Sequence, residues 1–259
     1  MAIEVFKRYE NKYMLNELLY YRILAEVSKR MNPDPFNENG KPYQICNIYY
    51  DTEDSSFIRH SLEKPVYKEK LRLRSYGTPD SESTVYLGIK KKYKGIVGKR
   101  RTALKLSEAY DFLTKKVIEN PDPERMNLQV IKEIEYILQT NKMVPKMNIS
   151  YLRMAFFDKD LPDFRVSFDS QILARDYNLK LEEGPYGTPL IPSNFRLMEV
   201  KASLSAPLWF VRLLSDNKIY PTGFSKYGTA YMTLNNNEKE NLQCLNQYLQ
   251  QKQQTAVYR

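Results

Sequence analysis

The chain has 259 residues, 40 Lys and Arg against 31 Asp and Glu, and a formal net charge of +9 at pH 7. A single histidine, His60, and two distant cysteines, Cys46 and Cys244, exclude a His-rich zinc site, a Cys/His finger, a disulfide framework and most Ser/His hydrolase arrangements. The excess of base calls for an anionic partner, and nucleic acid, a membrane surface and a polyphosphorylated small molecule are all compatible with it.

In chain order, alternation predicts a strand near Phe6–Tyr13, and 3.6-residue periodicity then predicts a helix over Leu15–Met31. Strands follow near Tyr43–Asp51, Tyr67–Tyr76, Val85–Lys92 and Ile96–Leu104, then helices over Ser107–Glu119 and Glu124–Thr140. Strands near Ile149–Phe157, Phe164–Ala174 and Phe195–Ala202 precede helices over Pro207–Ser215 and Glu238–Gln251. Eight strands interrupted by helices indicate an α+β fold with a largely antiparallel sheet. The N-terminus has no apolar signal core, and no apolar run approaches the roughly 18 residues of a membrane span, so a cytoplasmic protein is expected.

The strand faces carry the chemistry, because residues two apart share a face. In Tyr67–Tyr76, Lys68, Lys70, Arg72 and Arg74 lie on one side and Glu69, Leu71 and Leu73 on the other. Val85, Leu87 and Ile89 likewise oppose Tyr86, Gly88, Lys90 and Lys92. Arg8, Glu10 and Lys12 share a face, as do Lys99 and Arg101, Tyr151 and Arg153, Arg165, Ser167 and Asp169, and Glu199 and Lys201. Any one of these reads as the solvated outer side of an antiparallel sheet. As a set they do not, since a solvated face mixes both signs and these are mostly Lys and Arg. Helices could instead cover the apolar faces and turn the charged ones into a closed barrel. A dry interior of like charges would cost several kcal/mol per unpaired ion. The interior is therefore expected to be wet and to bind a multivalent anion, for which phosphate chains suit Arg forks and Lys point charges.

RYENKY at 8–13, YYDT at 49–52, KEKLRLRSYG at 68–77, IKKKYKGIVGKRR at 89–101, RMAF at 153–156, RVSFD at 165–169, MEVK at 198–201 and FSKYG at 224–228 stand in the order of one known family. Over about residues 4–232 the sequence resembles the VTC domain, the polyphosphate polymerase module of the vacuolar transporter chaperone complex, in the CYTH or triphosphate tunnel metalloenzyme superfamily. The resemblance implies one domain over 1–259: a closed antiparallel β-barrel of about eight strands at about 4–232, helices packed outside, and a C-terminal helix at about 235–252. It implies a tunnel that grips phosphate with Lys12, Arg72, Arg74, Lys90, Lys99, Arg153, Arg165 and Lys226. Glu199 would hold Mn²⁺ or Mg²⁺, with Glu10 a weaker metal ligand and Lys201 a weaker phosphate ligand. Among these, Arg72, Arg74, Lys90, Arg153 and Arg165 would act on the transferred phosphoryl group.

Three departures stand out. The superfamily's Glu-x-Glu-x-Lys is Arg8-Tyr9-Glu10-Asn11-Lys12 here, Gly88 stands where an acid often precedes Ile-Lys, and Gly223 stands where some members carry a further lysine. The first favours chain binding over hydrolysis; the other two bear on metal number and turnover.

The implied activity is transfer of the ATP γ-phosphoryl group to inorganic polyphosphate. The alternatives are a tripolyphosphatase or nucleoside triphosphatase of the same fold, and a non-catalytic polyphosphate-binding module. Nucleic acid is disfavoured as a partner, since no RNP, KH or finger motif appears and the bases are spread over many strands. With no membrane span in the sequence, export of product would need a separate membrane partner. Asp51 reads as a turn or capping residue, Trp209 as a packing residue, and KKKYKG at 90–95, taken alone, as a solvated basic loop.

Overall fold

A computed structural model describes residues 9–235 except 38, 39, 95, 162 and 204. In chain order its elements are β1 (Tyr9–Asn16), α1 (Glu17–Arg30), β2 (Met31–Pro33), β3 (Tyr43–Thr52), α2 (Ser56–Leu62), β4 (Tyr67–Tyr76), β5 (Thr84–Tyr93), β6 (Ile96–Lys105), α3 (Leu106–Lys115), α4 (Leu128–Thr140), β7 (Met143–Asp158), β8 (Arg165–Arg175), β9 (Thr188–Pro189), β10 (Phe195–Ala202), α5 (Leu208–Asp216) and α6 (Lys226–Asn235). Arg8 and the predicted helix Glu238–Gln251 lie outside the described residues.

Local chemistry sets the helices. The Asn16 side chain accepts from the Leu19 amide at 2.9 Å and opens α1, whose Tyr20, Ile23 and Val27 are buried at helical spacing. Asn127 opens α4 in the same way, accepting from Val130. α3 stops earlier than its periodicity predicts because Lys116 takes a left-handed cap, φ 65°.

Eight strands form one antiparallel path, β1-β10-β8-β7-β3-β4-β5-β6, with β2 and β9 paired outside it. The sheet is strongly curled. Lys90 on β5 reaches Glu10 on β1 at 3.2 Å, although six strand spacings of a flat sheet would separate those strands by about 29 Å. No backbone ladder joins β1 to β6 among the described residues, which form a strongly curled antiparallel sheet.

Strand parity is as the sequence predicts. Leu71, Leu73, Val85, Leu87, Ile89 and Leu104 face outward into a core with Phe112 of α3 and Ile131 and Ile134 of α4. Met198 and Val200 of β10 pack on Ile23 and Val27 of α1 and Phe210 of α5. Trp209 packs edge-on to Phe164 and Phe210, with Arg30 over its ring, as a packing residue should.

The expectation that helices lie outside needs a correction at α6. Its Tyr227 and Ala230 pack against Ile45, Met147, Ile149, Ile172 and Leu197, side chains of the concave face. A β-bulge in the β7–β8 pairing, with Gln171 at φ 47°, shifts parity so that Ile172 and Ala174 join Asp169 on that face. The resulting apolar strip needs a cover inside the curl, and α6 supplies it. Buried Asp51 accepts from the Phe57 and Ile58 amides of α2 and from the Tyr227 hydroxyl of α6, so it is the capping residue the sequence suggested and also ties two helices together.

Candidate functional site

The start of α6 delivers Lys226 to the middle of the concave face. There it donates to Asp169 at 2.5 Å and to Glu199 at 2.8 Å. Arg153 forks onto both Asp169 oxygens at 2.6 and 2.7 Å and reaches Glu199 at 3.0 Å. Lys201 lies 3.4 Å and Lys12 4.0 Å from Glu199. Glu10 continues the network, 3.7 Å from Lys12 and 3.2 Å from Lys90. Lys12 is further anchored by donating to the Phe224 carbonyl at 2.7 Å.

Charge in this network is held in place by its neighbours. Burial raises the carboxyl of Glu199, but Lys226, Lys201, Arg153 and Lys12 outweigh it and hold the group well below the usual range. Glu10 is likewise raised by burial and brought down to about 2 by Lys90, Lys201 and Lys12. Asp169, fully buried, is lowered by Arg153 and Lys226 against its burial. Burial depresses Arg153, yet Asp169, Tyr151 and Glu199 carry it well above the ordinary value.

The facing wall of β4, β5 and β6 is different. Lys70, Arg72, Arg74, Lys99 and Arg101 project from the concave side, and among the described residues none forms an ion pair with a carboxylate. Their partners are neutral. Arg74 donates to Asn47 and the Tyr151 hydroxyl, both at 2.8 Å. Lys70 donates to Ser225 at 3.3 Å, Arg72 lies over the Tyr49 ring and Arg101 over that of Tyr86. Burial with the neighbouring cations Lys90, Lys68 and Lys12 pushes Lys70 down to about 8. Lys99 opens to the lumen, yet the enclosing walls and Arg72, Arg74 and Arg101 push it down as well. The strength of this field shows in Tyr49: burial raises its phenol, but Arg72, Lys70 and Arg74 reverse the direction.

Gly88 accounts for part of the asymmetry. It pairs with Arg72 on one side and Arg101 on the other, and a Cβ there would lie 2.8 Å from the Arg100 carbonyl oxygen. No acidic side chain fits at that position without displacing β6, which leaves both arginines uncompensated.

The residues expected from the sequence therefore fall into three groups. Lys12, Lys90, Arg153, Lys201, Lys226, Glu10 and Glu199 share the network; Arg72, Arg74 and Lys99 lie on the facing wall. Arg165 pairs in register with Lys201 but donates to Asp34 at 2.8 Å, at the border of the site. Of KKKYKG, Lys90 points at Glu10 and Lys91 at Glu133, so the run is a strand end and only its tip is a loop. Sequence reasoning left out Asp169, Lys70 and Arg101 as site residues, although alternation with Arg165, Arg72 and Lys99 marks all three. Tyr151 shares its alternation face with Arg153 in the same way, whereas Tyr49 carries no such signal.

Among the described residues no group of three or more His, Cys, Asp or Glu is arranged to hold a metal ion alone. Mg²⁺ is normally bound by one or two carboxylates together with substrate phosphates. Glu199 and Glu10, both kept ionised beside the basic lumen, fit that donor set.

Residues 7–235 match the family model of the VTC domain. The chain belongs to the VTC domain family. Among solved structures, a candidate adenylate cyclase from Bacillus halodurans shares its fold at a TM-score of 0.53 and 13% identity, over 87% of this chain and 96% of that one. A candidate adenylate cyclase from Vibrio parahaemolyticus aligns at 0.44 and 11% identity, over 87% and 98% of the two chains. A candidate adenylyl cyclase from Hippeastrum, described as having a dominant triphosphatase activity, aligns at 0.49 and 13% identity, over 86% and 95%. No curated protein matches. Family and fold together support an enzyme of the triphosphate tunnel type. No helix among the described residues is long and apolar enough to cross a membrane.

Proposed function

We propose that this chain is a polyphosphate polymerase that moves the γ-phosphoryl group of ATP onto a growing inorganic polyphosphate chain. The observation that carries the reading is the wall of Lys70, Arg72, Arg74, Lys99 and Arg101, basic and, among the described residues, without carboxylate partners, opposite a network already rich in ion pairs. A chain of phosphates is the anion that such a row can neutralise step by step, since Arg72 and Arg74 lie one pleat repeat, about 7 Å, apart.

In the reaction, a terminal phosphate oxygen of the acceptor bonds to the γ-phosphorus. The bond from that phosphorus to the β–γ bridging oxygen breaks, and ADP leaves with the electron pair. The acceptor is already an oxyanion, so no general base is required. Transfer then depends on positioning and on neutralising charge over the equatorial oxygens. Arg72, Arg74 and Lys99 bind that charge directly. Arg153 and Lys226, locked by Asp169 and Glu199, keep fixed positions, while Lys12, Lys90, Lys201 and Arg165 extend the cradle. Glu199 and Glu10 would hold Mn²⁺ or Mg²⁺, which when bound neutralises and orients the phosphate oxygens.

Incubation with ATP and Mn²⁺ or Mg²⁺ should give a ladder of polyphosphate lengths on a gel, absent in Arg74→Ala and Glu199→Ala. Release of inorganic phosphate alone would instead identify a tripolyphosphatase or nucleoside triphosphatase. Binding without turnover would identify a non-catalytic polyphosphate-binding module.

A further inference from the structure

One end of the basic lumen is aromatic. Along β4 the concave face runs Lys68, Lys70, Arg72, Arg74 and then Tyr76, about 7 Å beyond Arg74. The Tyr76 hydroxyl faces Arg74 and Arg101. Its ring stacks on Phe36 with centroids 5.0 Å apart and planes 6° from parallel. Tyr43 lies 5.6 Å from Phe36, and Tyr86 closes the group edge-on to Tyr76 at 5.8 Å.

Phe36 is the unusual member. The residue is 53% exposed, yet its turn is pinned by buried polar groups. Asp34 accepts from the Phe36 amide at 3.0 Å and from Arg165 at 2.8 Å. Asn37 donates to the Ala155 carbonyl of β7 at 2.6 Å and accepts from the Ala155 amide at 3.3 Å. A large apolar ring on a pinned turn thus stands half in water, stacked on Tyr76 next to the arginines of the phosphate wall. Uncharged rings offer little to a bare phosphate chain. They suit the one part of a nucleoside triphosphate that is flat and uncharged.

We infer that Phe36 and Tyr76, with Tyr43 and Tyr86 around them, form a stacking platform for the nucleobase of the donor nucleotide. The inference rests on the phosphate-lumen reading and gives it a direction. The nucleoside lies at the Tyr76 end, its phosphates run past Arg74 and Arg72, and the polyphosphate chain lies toward Lys70 and Lys68.

The test is calorimetric titration of the full chain with inorganic tripolyphosphate and with a non-hydrolysable ATP analogue, comparing wild type, Phe36→Ala and Phe36→Trp. Phe36→Ala should weaken the nucleotide roughly ten-fold, as expected for loss of one base–aromatic stack, and leave tripolyphosphate unchanged. Phe36→Trp should retain wild-type nucleotide affinity or better. Equal losses for both ligands in Phe36→Ala, or no loss for either, would overturn the platform while leaving the lumen intact. Failure of the wild type to bind tripolyphosphate would overturn the lumen reading and the platform with it.

Discussion

Asp169 and Lys99 show how one site contains both well-compensated and uncompensated charge. Asp169 is fully buried and carries three hydrogen bonds from Arg153 and Lys226. Removing one partner from a buried ion pair leaves the other charge stranded, which costs about 3–5 kcal/mol. Asp169→Asn should therefore lower unfolding stability by about that amount in urea denaturation. Lys99 has no carboxylate partner and is surrounded by cations, so Lys99→Met should leave stability unchanged or raised while weakening tripolyphosphate binding. A stable Asp169→Asn variant would mean that the network is dispensable for folding. The contrast follows from sign and burial, both anticipated in part by strand parity. Alternation puts Arg165, Ser167 and Asp169 on one face, but only the structure shows that Asp169 meets Arg153 of the neighbouring strand.

At the level of elements, legibility follows the strength of the local pattern. The strand Tyr67–Tyr76 and the strand Phe195–Ala202 have the predicted bounds; in the first, Leu71 and Leu73 alternate with charged residues and are buried, and the second is buried on both faces. α2 and α6 were not foreseen. α2 is seven residues long, too short for a 3.6-residue period to register. α6 contains Gly228 and Thr229 and is buried at Lys226, Tyr227, Gly228 and Ala230, so it has little amphipathic pattern and is stabilised chiefly by its tertiary surroundings. The bulge that flips β8 parity at Gln171 was equally silent in the sequence. The α2–α6 tie is open to a direct test. Tyr227→Phe removes the hydroxyl that donates to Asp51 at 3.0 Å while keeping the ring stacked on Tyr49. A hydrogen bond to a charged group contributes about 1.5–3 kcal/mol, so urea denaturation should report a loss in that range. A loss below about 0.5 kcal/mol would mean that apolar packing alone seats α6, since that is less than a typical net hydrogen bond.

Over the whole molecule, the net charge of +9 is less informative than its distribution: ion-paired on one wall of the curl, unpaired on the other. That distribution fixes how binding should respond to pH. Lys99, pushed down to about 5 by burial and by Arg72, Arg74 and Arg101, is neutral from about pH 7 upward in the free protein, while Lys70 and Lys201 are each lowered to about 8, foremost by burial, and lose their protons above that pH. The unfolded chain keeps such lysines protonated to about 10.4, so it binds more protons between about 8 and 10.4, and this term makes folding stability rise with pH across that window. Ligand binding has the opposite sign. A phosphate chain beside these ammonium groups favours their charged form and raises their pKa, so binding takes up protons and weakens as pH rises. The acid side is separate: Glu10, lowered to about 2, contributes stability that is complete above about 4.5 and is lost as pH falls toward 2. Titrations of tripolyphosphate at pH 7, 8.5 and 10 should thus show steadily falling affinity. Repeating the pH 8.5 titration in buffers of different ionisation enthalpy should reveal net proton uptake. Once the ligand's own proton release is subtracted, affinity independent of pH over this range would mean that the phosphates bind away from the β4 wall, on groups that do not titrate there.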